Sequence, residues 1–193
     1  MHNTTIIAFA GIKGSGKDTA AAAFEKKYND YNEDILFKMA FADPLKSIIH
    51  RTFEIDNRES EEIKRLNIRP FNGLTLREVY QNLGEEIKFI FGQNIWVDYT
   101  LSKCHSFIEA SEPEYILITD LRYINEEKSL REFPEANNYN LYIIKLVNTN
   151  QISDDKHISE IQIDLIKEDF IIKASNIEEI KNQIGDIYNA ISK

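Results

Sequence analysis

The stretch TTIIAFAGIKGSGKDT, residues 4–19, decides how the rest of the chain is read. Its first part, Thr4 to Ala10, is a short apolar run without polar alternation, the pattern of a strand covered on both faces of a sheet. From Gly11 to Lys17 (Gly11, Ile12, Lys13, Gly14, Ser15, Gly16, Lys17) the chain reads G-x-x-x-x-G-K. The following DTAAAAFEKKY has the alanine-rich composition of a helix. A glycine-rich loop between strand and helix lets successive backbone N–H groups turn inward around phosphate oxygens, and the helix N-terminus adds its positive dipole. Lys17 is then placed to reach the β- and γ-phosphates of a nucleoside triphosphate. In the usual pattern a Ser or Thr hydroxyl follows the lysine and sits on Mg²⁺, whereas here Asp18 follows, with Thr19 one step later. A carboxylate there can hold Mg²⁺ directly or through water, or cap the helix, and the two roles are compatible. Thr19 is placed to hydrogen-bond the α-phosphate.

Outward from this loop, four further apolar runs read as strands: Ile35–Met39, Tyr115–Thr119, Leu141–Val147 and Phe170–Lys173. Helical patterns lie between and after them, among them NEEKSLREF and NIEEIKNQIGDIYNAI. Strands alternating with helices predict an α/β fold around a parallel sheet. One domain over residues 1–193 is expected, with a core of 1–39, 114–147 and 168–193. A mostly helical insertion, 40–113, is expected to carry helices at Pro44–Phe53, Ser60–Leu66, Leu76–Phe91 and Trp96–Ser106. Residues 148–167, rich in Asn, Asp and Ser, read as a loop or short lid.

Composition narrows the partners. The chain has 193 residues, 42% hydrophobic and 28% charged, which is ordinary for a soluble globular protein. Its 23 Lys and Arg stand against 32 Asp and Glu, a formal charge of -9, without any basic run. That argues against a nucleic-acid polymer as partner, while a few converging cations can still reverse the sign inside one site. Cys104 is the single cysteine, so no internal disulfide forms and a reducing, cytoplasmic setting is expected. No stretch approaches the ~20 apolar residues of a membrane span, and the N-terminal apolar run is too short for a signal sequence.

Three more segments carry candidate chemistry. In YILITDLRYINEE, Asp120 ends a strand where nucleotide-binding folds place a metal-oriented carboxylate. Arg122 follows two residues on, at the strand ends where open α/β sheets bind ligands. In MAFADPLKSIIHR, Asp43, Lys46 and Arg51 form a charged set, and in LREVYQNLG, Arg77 and Gln81 share a helix face at i, i+4. Together these two segments make a plausible pocket for an anionic acceptor, although each alone reads equally well as the charged surface of an amphipathic helix. DDKHISEI contains His157, Ser159 and Glu160 in a polar loop. The chain shows no Asn-Lys-x-Asp guanine signature.

Taken in order, GIKGSGKDT, FADPLK, LREVYQNLG with Trp96 downstream, TDLRYINE and DDKHISE resemble the phage-type deoxynucleoside monophosphate kinases over nearly the whole chain. The Gly-Lys-Asp-Thr loop ending is the most specific mark, shared with their phosphomevalonate kinase relatives. The resemblance implies a three-layer P-loop kinase fold: a five-stranded parallel sheet with helices on both faces, a helical nucleoside-monophosphate-binding insertion and a short lid. It implies ATP and Mg²⁺ as cofactors, a deoxynucleoside monophosphate as second substrate, and a homodimer. It places the loop, including Lys13, Lys17, Asp18 and Thr19, in the ATP site, with Asp18 and Asp120 toward the metal. Asp43, Lys46, Arg69, Arg77, Gln81, Trp96, Arg122 and Glu160 fall to the acceptor. Lys17, Arg122, Asp120 and Lys13 are the expected catalytic group. The chain departs from the family at Asn148, where related lids often carry Arg, and at KASN after the fifth strand, where Asn-Asp-Gly is frequent. Two other readings stay open: a kinase of a different small molecule, such as dephospho-coenzyme A, and an ATP-binding switch protein without a second substrate.

Overall fold

The computed structural model describes residues 4–30, 36–55, 72–137, 139–150 and 162–192. Five strands, β1 (Thr5–Ala10), β2 (Leu36–Met39), β3 (Tyr115–Leu121), β4 (Asn140–Asn148) and β5 (Phe170–Ala174), form one sheet in the order β2-β3-β1-β4-β5. Every pairing is parallel. All five match the apolar runs read from the sequence; a central parallel strand is buried on both faces and needs no polar alternation, while the edge strands β2 and β5 are partly exposed. β1, in the middle, is buried along its whole length.

Side chains alternate across the strands and build two apolar layers. On one face, Ile7, Phe9, Leu117, Ile144, Leu146 and Ile172 meet two helices, α1 (Lys17–Asn29) and the C-terminal α6 (Ile177–Ile191). Phe24 of α1 sits edge-on to Tyr115 and to Tyr188, each at 5.2 Å between ring centres. Burying one such ring contributes about 2 kcal/mol. The opposite face is covered by α4 (Ile95–Ser111) and α5 (Ile124–Asn137). Phe107 of α4 stacks on Phe37 of β2 at 4.3 Å, and α5 lies against β4. The sheet with helices on both faces is the fold that the resemblance implies.

The chain divides into two compact units, Met1–Ala40 with Thr100–Lys193, and Phe41–Tyr99. The second contains α2 (Asp43–Phe53), α3 (Leu76–Phe91) and the first turn of α4. Leu45, Ile49 and Leu76 form its small core, with Val79, Tyr80, Leu83 and Trp96 packed against it. Gly84 of α3 lets the helices approach: a Cβ there would stand 3.1 Å from Leu45 Cδ2. α3 starts with a capping box, in which the Thr75 hydroxyl accepts from Glu78 N–H and the Glu78 carboxylate accepts from Thr75 N–H. The Thr75 hydroxyl and the Thr75 N–H, both donating to the exposed Glu78 carboxylate, hold it below its usual range. The helix expected over Ser60–Leu66 lies outside the described residues. Among the described residues, no helix is long and apolar enough to cross a membrane.

Cys104 of α4 is fully buried, its Sγ 3.3 Å from Met39 Sδ. Burial pushes its thiol up to about 12, so at pH 8 almost none is thiolate, the reactive form. The folded protein is therefore expected to resist a chromogenic thiol reagent at pH 8 and to react with one equivalent in denaturant. Rapid reaction of the native protein would show that this face of the sheet is open.

Candidate active site

The loop between β1 and α1 takes its shape from its glycines. Gly14 and Gly16 have φ of 78° and 96°, in the left-handed region where side chains are strained, and Gly11 has φ of 156°. Space is as restrictive as conformation. A Cβ on Gly11 would collide with Ser15 Oγ and lie 2.8 Å from the Leu146 carbonyl oxygen; one on Gly16 would lie 2.6 Å from Ile180 Cδ1. The loop is thus seated against β4 and α6. Gly16 is the N-cap of α1, with no side-chain cap, and Asp18 is an exposed residue of the first turn. Of the two roles open to Asp18, the N-cap position is therefore taken by Gly16, and the carboxylate is left at the dipole-positive helix end.

Lys17 is buried, at 6% exposure, and its ammonium folds over the loop to donate to the carbonyls of Gly11 (2.5 Å) and Ile12 (2.7 Å). A buried ammonium needs such partners. Ser15 is also buried, and its Oγ has no hydrogen-bond partner. A buried hydroxyl without a partner is costly and fits a loop built around an oxygen-rich ligand. Lys13 and Thr19 are half-buried on the same loop.

Neighbouring β3 brings the second group. Its register against β1 runs evenly from Thr5–Tyr115 to Ala8–Ile118 and then slips, so that Ala10 pairs with Leu121. The extra residue falls at Thr119–Asp120, beside the root of the loop. Such irregularities redirect side chains at strand ends. Asp120 and Arg122, both half-buried, therefore share one edge of the sheet with Lys13, Lys17, Asp18 and Thr19. Asp18 and Asp120 are a donor set suited to Mg²⁺, which takes one or two carboxylates and completes its shell with waters and phosphate oxygens. Among the described residues no cluster of three or more His, Cys, Asp or Glu could hold a metal by itself.

Sequence reasoning missed Glu126. This residue of α5 is buried, and one carboxylate oxygen accepts from the N–H groups of Arg122 (2.8 Å) and Tyr123 (3.0 Å). Next to it, Ile124 N–H donates to Gln162 Oε1 at 3.0 Å. An acidic residue three positions after a strand-to-helix turn was the available signal. Of KASN, Lys173 and Ala174 end β5, and Ser175 and Asn176 form a cap on α6. Asn176 accepts from Glu179 N–H, while the Glu179 carboxylate accepts from Ser175 N–H. The Ser175 N–H foremost, with the Ser175 hydroxyl and the Asn176 side-chain amide also donating to the carboxylate, lowers the pKa of the exposed Glu179.

The Phe41–Tyr99 unit holds the remaining expected residues that are described. Asp43 (exposed) and Lys46 (half-buried) lie on α2, Arg77 (half-buried) and Gln81 (exposed) on α3. Trp96 packs on the apolar cluster, and its indole N–H points to the Gly84 carbonyl at 3.4 Å. His50 and Tyr80 tie α2 to α3 through a 2.6 Å contact between Nε2 and the phenol oxygen. Arg69, His157 and Glu160 lie outside the described residues.

Comparisons with known proteins bear on the family and the fold. Residues 72–184, more than half of the chain, match the family model described as deoxynucleotide monophosphate kinase. A protein of Acanthamoeba polyphaga mimivirus, named among the deoxynucleotide monophosphate kinases, is 26% identical over 192 residues, covering 93% of each chain. Among solved structures, the Mycobacterium tuberculosis APS kinase in complex with AMPPNP and APS superposes with a TM-score of 0.57 at 9% identity, over 100% of both chains. A Cys556Ala mutant of that enzyme gives 0.55 at 9% identity, again over 100% of both. A Chloroflexus aurantiacus protein named as a kinase gives 0.52 at 10%, over 100% of this chain and 98% of the other. These likenesses show the fold. The chain is a phosphotransferase with the P-loop kinase fold and belongs to the deoxynucleotide monophosphate kinase family.

Proposed function

We propose that this protein transfers the γ-phosphoryl group of ATP to the phosphate of a deoxynucleoside 5′-monophosphate, forming the diphosphate. The observation that carries the reading is the loop itself. Its backbone is wound with positive φ at Gly14 and Gly16, closed by the Lys17 ammonium, and flanked at one sheet edge by Asp120 and Arg122.

Phosphoryl transfer asks for alignment and charge compensation more than for covalent chemistry. The loop amides and Ser15 Oγ would take phosphate oxygens of ATP, and Lys17 would exchange its carbonyl partners for the β- and γ-phosphates, gaining charge-assisted bonds. Mg²⁺, held through Asp18 and Asp120, would supply neutralisation of the β- and γ-oxygens when bound. Lys13 and Arg122 would offset charge on the group in transit. A phosphate monoester has a second pKa near ~6 and is already largely ionised at neutral pH, so the acceptor needs no general base. On this reading Asp43, Lys46, Arg69, Arg77, Gln81, Trp96 and Glu160 serve the acceptor, its phosphate falling to the cations and its base to the remainder.

A coupled assay of ADP release should show turnover that depends on a deoxynucleoside monophosphate. Release that is equal without acceptor would favour an ATP-binding switch. Release only with a hydroxyl acceptor, such as dephospho-coenzyme A, would move the chain to another kinase activity. Lys17→Ala is expected to lower turnover about a hundredfold or more with the fold retained by circular dichroism; near-normal turnover would remove the loop from the chemistry. Arg77→Ala should raise the acceptor KM far more than the ATP KM, and equal changes in both would take Arg77 out of the acceptor site.

A further inference from the structure

Resting on the reading that Arg122 faces the transferring phosphates, we infer that Glu126 is a positioning residue for the reaction: its buried carboxylate fixes the backbone from which the Arg122 guanidinium projects. A helix cap alone would need one bond, from the glutamate at the third position back to the N–H of the capping residue. Here the same oxygen also accepts from Arg122 N–H, one residue further out. On its other side Arg122 follows Leu121, which is in register with Ala10 of β1. The root of the arginine is therefore held from both directions, by strand pairing before it and by a carboxylate at its own amide.

That anchoring matters because the guanidinium sits at the end of a long, rotatable stem. A shift of the root moves the charge relative to the γ-phosphate, and misplacement by ~1 Å is enough to cost about a hundredfold in rate. The neighbouring amides are consumed as well, since Glu126 takes Arg122 and Tyr123 while Gln162 takes Ile124. Three consecutive N–H groups at the start of α5 are thus committed to protein oxygens. A phosphate at this edge is left to the Arg122 side chain and to the loop after β1, which raises the demand on where that side chain starts.

The test is steady-state kinetics of Glu126→Ala, Glu126→Asp and Glu126→Gln, together with Arg122→Ala and the double variant Arg122→Ala/Glu126→Ala. Amide hydrogen exchange at Arg122 and Tyr123 supplies a readout independent of activity. Glu126→Ala is expected to speed exchange at both amides and to lower kcat about tenfold or more, with the ATP KM within about twofold. Glu126→Asp, one methylene too short, should behave likewise and carries the test if the alanine variant does not fold. Glu126→Gln, whose carbonyl oxygen still accepts both bonds, should recover most of kcat. In the Arg122→Ala background the loss of Glu126 should cost less than about twofold. Unchanged kcat despite faster exchange, unchanged exchange, or multiplicative losses in the double variant would each overturn the inference while leaving the kinase reading intact. A wild-type protein without monophosphate-dependent turnover would overturn both.

Discussion

The backbone between Ala10 and Lys17 has room for only one path, and the active edge of the sheet depends on it. Gly11 is set against Ser15 and the Leu146 backbone carbonyl of β4 so closely that a Cβ there would displace backbone, and a Cβ on Gly16 would press on the end of the Ile180 side chain of α6. Interiors packed to this density do not deform continuously. The path of the loop is therefore set by positive φ at Gly14 and Gly16 and by its close packing against β4 and α6. Lys17 completes the arrangement by holding two loop carbonyls. Its ammonium is thus buried beside the loop, and on the proposed reading it would exchange those carbonyls for phosphate oxygens.

Charge balance explains how an acidic chain can serve a polyanion. The net charge of -9 would repel a nucleotide at long range, yet over distances beyond the Debye length of ~8 Å that repulsion is largely screened. What counts is the sign within the site. Lys13, Lys17 and Arg122 gather at one edge of the sheet, and the carboxylates at that edge, Asp18 and Asp120, are suited to holding a divalent cation and so add to neutralisation once it is present. On the proposed reading, an ionised acceptor phosphate raises the need for cations and removes the need for a base.

The parts of this arrangement legible in the sequence are those set by local chemistry. Thr4–Ala10 reads as a buried strand because nothing in it is polar enough to face water, and the glycine spacing of the loop announces its conformation. The α3 boundaries follow from Thr75, Glu78 and Gly92, whose capping roles are encoded within a few residues. What stayed hidden depends on contacts distant in the chain. The register slip at Thr119–Asp120 is a property of β1 against β3, over a hundred residues apart, and no local pattern marks it. Likewise Gln162 reaches Ile124 across 38 positions. The place of the Trp96 indole against Gly84 and the apolar cluster of α2 and α3 is also a matter of packing that spacing does not show.

The helix N-termini of the Met1–Ala40 and Thr100–Lys193 unit differ in a way that bears on function. α5 begins with its amides taken by Glu126 and Gln162, and α6 begins with Asn176 bonded to Glu179 N–H. Both satisfy with protein side chains the donors that every helix leaves open at its start. α1 has Gly16 at that position and no side-chain cap. A serine, aspartate or asparagine cap would stabilise the helix by only roughly a few tenths of a kcal/mol over glycine. The left-handed φ of 96° favours glycine there, and a Cβ would also press on Ile180 Cδ1. No side chain caps α1, and its start carries a buried lysine and an unpartnered serine hydroxyl. On the proposed reading, a nucleotide phosphate bound there would cap α1 as the Glu126 carboxylate caps α5.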